Sequence, residues 1–157
     1  MTDSQYSYGI DYTPSDMIST LPTLGRATVD GWKAFGIKYV RMQWVDFTGS
    51  TRFRVYPLAS FVNMLASSRP GMGTTSCLLG LVNITVCPGF SPTGEYLYCP
   101  DLSSMRLCGY APGHASVMGF FEHKAPVIGS DGIASLRVSF CPRDILKRVV
   151  EYVTFTS

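Results

Sequence analysis

The sequence predicts an α+β fold: a twisted sheet with one helix laid across it and a second helix near the end of the chain. Three observations predict it. Two β-rich runs flank a short glycine-containing turn between Ile37 and Leu58. Apolar residues at helical spacing follow in Pro57 to Ala66. After several more strand-like runs, helical periodicity returns in Pro142 to Val153.

The first run, IKYVRMQWVDF, alternates. Val40, Met42 and Trp44 fall on one face, while Ile37, Tyr39, Val45 and Phe47 share the other with Arg41 and Gln43. One face is almost wholly apolar and the other mixed, as in a sheet packed on one side. The turn TGST carries a central glycine, and RFRVY returns. Arg52 and Arg54 place two cations on an edge-facing side, which discourages unwanted strand pairing. Pro57 then suits a first helical turn, where its missing N–H costs nothing, and Leu58, Phe61, Val62 and Leu65 form one stripe.

Upstream, Met1 to Leu24 is polar and aperiodic and reads as a loose arm. Thr28 to Phe35 reads as a short helix, capped by Thr28 and stopped by Gly36. Downstream, Ser67 to Ser76 reads as a loop. Cys77 to Val86 reads as a strand weakened by Gly80, and Glu95 to Cys99 as a strand broken by Pro100 and Asp101. Met105 to Cys108, Ala115 to Glu122 and Leu136 to Phe140 read as further strands, and His123 to Gly132 as turn-rich. In the last segment Pro142 fits the first helical turn and Asp144 its positive end. Ile145, Leu146, Val149, Val150 and Val153 then form a broad apolar stripe that needs a partner.

A chain of 157 residues suits one domain, or one domain with a fragment of another. Only 15% of residues are charged against 46% hydrophobic, which argues against disorder and for a surface meant to be covered. Lysines and arginines are scattered, with a net charge of +2 and no basic run, so nucleic-acid binding has little support. No apolar run is long enough to span a bilayer, and no secretory pattern opens the chain. Five cysteines at wide spacing fit a reduced, cytoplasmic setting better than a disulfide framework. Without a secretory route, the Asn83-Ile84-Thr85 glycosylation pattern reads as chance.

Chemistry-bearing patterns are sparse. Cys99, Cys108, His114 and His123 match no recurring zinc spacing and read as buried thiols and loop histidines. Gly71-Met72-Gly73 lacks the lysine and hydroxyl of a phosphate loop and reads as a turn. No G-x-S-x-G elbow occurs. Asp46 and Asp101 each adjoin a turn and read as turn or cap residues. Arg41, Arg52 and Arg54 read as surface cations, with phosphate or carboxylate binding as the alternative.

Four segments, in this order, resemble the N-terminal region of glutamine synthetases, and most of all the glutamine-synthetase-like proteins of fungi. Ile37 to Gly49 looks like the family's first strand with its Asp and turn Gly, and Arg52 to Pro57 like its second strand. Cys99-Pro100-Asp101-Leu102-Ser103-Ser104 looks like its Pro-Asp segment, and Cys141-Pro142-Arg143 with Leu146 like the Pro-Arg helix that opens the catalytic domain. The resemblance spans about Gly36 to Val153.

It implies a β-grasp domain over 25–140, after an arm over 1–24, with 141–157 beginning a catalytic domain that the chain does not complete. In a full-length member this domain abuts the catalytic domain of a neighbouring subunit in a homo-oligomer. ATP and Mg2+ or Mn2+ bind at that junction, and glutamate and ammonia are joined. The family's Asp-Gly-Ser-Ser loop, whose Asp helps hold ammonium, is matched by Gly73-Thr74-Thr75-Ser76; Thr75 and Ser76 match by type, and the Asp is missing. A glycine neither attracts nor deprotonates ammonium. The family's metal-binding glutamates lie beyond the Pro-Arg helix, and Glu95, Glu122 and Glu151 are never paired at E-x-E spacing. The expectation is the lid of an inter-subunit glutamate–ammonia, or glutamate–amine, ligase site, inactive alone. The alternative is a free-standing module that binds glutamine-synthetase-like subunits.

Overall fold

The structure, a computed structural model, describes residues 29–129 and 132–155. The expected arm over 1–24 and the Thr28 cap lie outside the described residues. A short helix α1 (Val29–Ala34) is followed by Gly36 at φ +72°, the left-handed stop a glycine supplies without strain.

The hairpin forms as β1 (Tyr39–Val45) and β2 (Thr51–Pro57), paired from Tyr39 with Pro57 to Val45 with Thr51. Pro57 ends the strand, so helix α2 begins one residue later than expected, at Leu58, and runs to Leu65. β1 also pairs in parallel with β8 (His114–Val117), which pairs with β7 (Arg106–Leu107). The order β2-β1-β8-β7 makes a mixed sheet with β2 at an edge, as its arginines suggest. Parallel neighbours need a crossover, and α2 lies on that path across the apolar face. Val40, Met42 and Trp44 are buried there with Leu58, Phe61, Ala115 and Val117. Trp32 of α1 packs on Phe61 with ring centroids 6.0 Å apart. Burying one such large side chain contributes about 1.5–3 kcal/mol.

A second sheet, less legible in the sequence, has the order β10-β9-β6-β3. β3 (Met72–Thr74) lies inside the segment expected to be a loop and pairs with β6 (Tyr96–Pro100). The expected strand at Cys77 to Val86 is instead a 3-10 turn, Ser76–Leu79, and a small ribbon of β4 (Leu81–Val82) and β5 (Thr85–Val86). Gly80 causes the break: the Phe90 ring lies where its Cβ would be, and its backbone leaves the extended region at ψ 55°. The Asn83-Ile84-Thr85 pattern is the exposed tip of that ribbon.

The single strand expected over Ala115 to Glu122 is two, in different sheets. The chain crosses from β8 to β9 (Gly119–Ile128) at Met118. Ser104 Oγ accepts from Met118 N–H at 2.8 Å, and Gly119 lies so close to the Cys99 carbonyl that a Cβ would sit 2.2 Å from its oxygen. β9 continues through residues expected to be turn-rich, because β10 (Ala134–Arg137) supplies a hydrogen-bonded partner. The last strand therefore sits two residues earlier than expected.

Helix α3 (Pro142–Phe155) starts at the expected proline. Its first turn is fastened to the second sheet by buried Cys141, whose Sγ accepts from Phe121 N–H at 3.3 Å, and by Arg143. Asp144 is flanked by Arg137 at 3.1 Å and by Arg148 at 3.2 Å, the latter an ion pair without hydrogen-bond geometry. Beyond that turn, Leu146, Val149 and Val150 are exposed. No helix among the described residues is long and apolar enough to cross a membrane.

Candidate functional site

The first turn of α3 and the end of β1 enclose a cavity of about 390 Å³. Its walls are Trp44, Tyr98, Gly119, Phe121, Arg143 and Leu146. The rings interlock: Tyr98 and Phe121 are 4.7 Å apart, Trp44 and Tyr98 5.5 Å, and Trp44 and Phe121 6.2 Å at nearly right angles. Tyr98 Oη accepts from Gly119 N–H at 2.6 Å and donates to the Gln43 carbonyl, which ties the two sheets together. Burial raises the Tyr98 hydroxyl well above the usual phenol range against the opposing pull of Gly119 N–H and Arg143. It therefore remains protonated and is not a base.

Arg143 is the cation at the rim. Its guanidinium carbon lies 4.6 Å from the Phe120 ring centroid, and Nη2 lies 2.6 Å from Asp101 Oδ2. The walls contribute no carboxylate and no imidazole, and the Cys141 thiol is occupied by Phe121 N–H. Such a cavity accepts an apolar body; it does not move protons.

Thr75 and Ser76 are not among the cavity's walls; they open the 3-10 turn Ser76–Leu79, whose Leu78 carbonyl accepts from Trp44 Nε1 at 3.2 Å. Ser76 is buried; its Oγ accepts from Ser91 N–H at 2.9 Å and donates to the Ser91 carbonyl. The Thr75 hydroxyl is 3.0 Å from Cys77 Sγ. Met72 and Gly73 belong to β3, where Gly73 pairs with Leu97, and Gly71 directly precedes it, so this stretch leads into a strand rather than forming a phosphate cradle.

The other sequence candidates are dispersed. Asp46 closes its own turn: Oδ1 accepts from Thr48 N–H, Thr48 Oγ1 and Ser50 N–H, and Oδ2 from Arg52 Nε at 2.8 Å. Burial raises its pKa, but the bonds from Thr48, Arg52 and Ser50 outweigh this and hold it at about 2. Asp101 caps the 3-10 turn Leu102–Ser104 through Ser103 N–H. Burial pushes it up, and Ser103 and Arg143 bring it below the ordinary carboxylate range. His114 faces Arg41 in the first sheet, whereas Cys99 and His123 are in the second. Among the described residues, no three His, Cys, Asp or Glu side chains come together. The divalent cation that the resemblance implies for a full-length member finds no matching donor set among the described residues.

The cavity itself went unrecognised in the sequence. Tyr98 and Phe121 sit in unremarkable alternating strands, and only their pairing in β6 and β9 brings them under Trp44. Arg143 and Leu146 carried a signal, within the Pro-Arg segment.

Comparison with known proteins supplies the frame. No protein-family model matches the chain. A solved structure described as a novel glutamine synthase homolog superposes with a TM-score of 0.54 at 23% identity, covering 76% of this chain and 27% of that one. Plasmodium falciparum glutamine synthetase superposes with a TM-score of 0.51 at 16% identity, covering 83% of this chain and 23% of that one. The chain has the fold of a segment of glutamine synthetase. In sequence, the fluG protein of Emericella nidulans is 30% identical over 70 residues, 45% of this chain and 8% of fluG. The chain thus spans less than a tenth of the curated relative it matches, and about a quarter of these glutamine-synthetase-like structures.

Proposed function

We propose that this domain is the lid of a glutamate–ammonia or glutamate–amine ligase site whose remaining parts belong to a glutamine-synthetase-like subunit. The carrying observation is the cavity beside α3. It is walled by rings, has the exposed Leu146 in its lining, and carries no carboxylate and no imidazole. A surface of this kind fits against another surface; it does not run a reaction.

In this reading the partner is a catalytic domain in a homo-oligomer in the cytoplasm, and it supplies the ligands for ATP and Mg2+ or Mn2+. Residues 141–157 open the catalytic domain. Thr75 and Ser76 belong to the loop that reaches the ammonium position. Ser76 acts there by pinning the loop to Ser91, and Gly73 leaves the position without a carboxylate.

The test is γ-glutamyl transfer by the purified chain, alone and mixed with a full-length fungal glutamine-synthetase-like protein. The chain alone reads zero, and turnover by it overturns the proposal. Stable co-purification with the full-length protein favours the second reading, a free-standing binding module, whose support is the exposed α3 face.

A further inference from the structure

Arg41 stands on the outer face of the first sheet, the side away from α2. It pairs with Val55 on β2 and Ser116 on β8. Its guanidinium carbon lies 4.8 Å from the Phe53 ring centroid and 5.5 Å from that of Tyr110. Its Nε donates to His114 Nδ1 at 3.2 Å, and the His114 ring stacks on Tyr39 at 4.9 Å and 25°. An arginine can only donate, so His114 Nδ1 is the acceptor in this bond. Two rings and one imidazole therefore fix the guanidinium before any ligand arrives.

A guanidinium has two in-plane edges that fit a carboxylate, the Nε side and the terminal Nη1–Nη2 side. His114 occupies the first. The terminal edge makes no hydrogen bond or ion pair among the described residues. Arg52, Arg69, Arg143 and Arg148, by contrast, each meet a carboxylate. The strands that build this face, YVRMQWV, TRFRVYP and HASV, contain no Asp or Glu. Around the free edge, Phe53 is 51% exposed and Tyr110 74% exposed.

We propose that Arg41, His114, Phe53 and Tyr110 form a binding site for a carboxylate that carries an aromatic or other flat apolar body. The carboxylate takes the terminal edge of Arg41 in a bidentate grip, and the body lies on the exposed rings. Pre-orientation reduces the entropy lost on binding, and the rings strengthen the contact by excluding water. The cavity beside α3 is walled by Trp44 on the opposite pleat of β1, so the site stands whether or not the domain is a lid.

The experiment titrates the whole chain with phenylacetate, following backbone amide shifts of β1 and β2 by NMR. Saturable binding centred on Arg41 and Phe53 is expected. Arg41→Lys keeps the charge but loses the fork and weakens binding about tenfold or more. Arg54→Lys, an exposed cation on the other pleat of β2, leaves it unchanged. Phe53→Ala removes one of the exposed rings without emptying the core and weakens binding, which keeps the test decisive if Arg41→Lys folds poorly. A short peptide ending in a free Phe carboxylate identifies the source. Binding about tenfold or more tighter than phenylacetate, abolished by amidation, assigns the site to chain termini; equal or weaker binding assigns it to a free acid. No saturation by roughly 50 mM phenylacetate, an equal response to inorganic phosphate, or an unchanged affinity in Arg41→Lys overturns the proposal.

Discussion

Arg143 Nη2 lies 2.6 Å from Asp101 Oδ2, which joins two segments 42 residues apart. The pair fastens the first turn of α3 to the capped turn after β6. Both partners are mostly covered, so the charge-assisted bond is stronger than an exposed ion pair. Asp101→Asn and Arg143→Ala are each expected to cost about 1.5–3 kcal/mol by urea unfolding at neutral pH. A double-mutant cycle should return a coupling of about 1 kcal/mol; additive effects would mean that the contact is not formed.

The Asp46 carboxylate is held at about 2 by its own turn, well below the ordinary aspartate value of 3.8. The sign follows from that depression. The unfolded chain takes up the proton first, so the stability from Asp46 is fully present above about pH 4 and is lost as pH falls toward 2. The contribution is about 2 kcal/mol, since the carboxylate is covered by its own loop. Asp46→Asn should lower stability at pH 7 by about that amount and flatten the acid limb of a stability–pH curve. An unchanged acid limb would show that other carboxylates carry it.

The first sheet was legible because its signals are local. The hairpin alternates at period two, and the stripe of α2 follows at once. The partition into two sheets was not legible, because it depends on long-range approaches. Met118 ends one strand and Gly119 begins another only because Ser104 and the Cys99 carbonyl come close, and neither adjoins them in sequence. β3 was hidden in a stretch of small residues whose strand character comes from pairing with Tyr96 to Tyr98. Asp46 and Asp101 were readable as turn and cap residues, whereas the cavity required Tyr98 and Phe121 to be seen as neighbours.

The strand switch makes Gly119 a sensitive position. A Cβ there meets the Cys99 carbonyl oxygen at 2.2 Å, and backbone cannot yield as a side chain can. Gly119→Ala is expected to cost about 3 kcal/mol or more, at the upper end of overpacking effects. Gly80→Ala meets the ring of the half-buried Phe90, a side chain rather than backbone, and should cost less, about 1–2 kcal/mol. Thermal or urea unfolding of the two variants tests the ranking, and an equal loss would place the constraint elsewhere.

The five described cysteines are all free thiols. Burial, with the Glu122 carboxylate next in weight, pushes Cys99 up to about 12 against the weaker pull of Arg69. The thiolate is the nucleophile, so Cys99 should resist iodoacetamide in the folded chain at pH 8. Peptide mass spectrometry after a timed pulse checks this, with full labelling expected once urea unfolds the chain. Rapid native labelling of Cys99 would show that neither burial nor Glu122 protects it.

On α3, Leu146 is 62% exposed and Val150 is 55% exposed, one turn apart on the same stripe as Val149. Leu146 also forms part of the cavity wall, so the stripe and the cavity make one continuous apolar surface. Patches of this kind drive association when no partner covers them. Sedimentation of the purified chain is expected to show a mass that rises with concentration. The double variant Leu146→Glu, Val150→Glu should remain monomeric across the same dilution series. Its fold should be kept, since both side chains are exposed and helix-compatible. A wild-type chain that stays monomeric throughout would mean that the stripe is covered from within, and the case for α3 as a contact surface would fail with it.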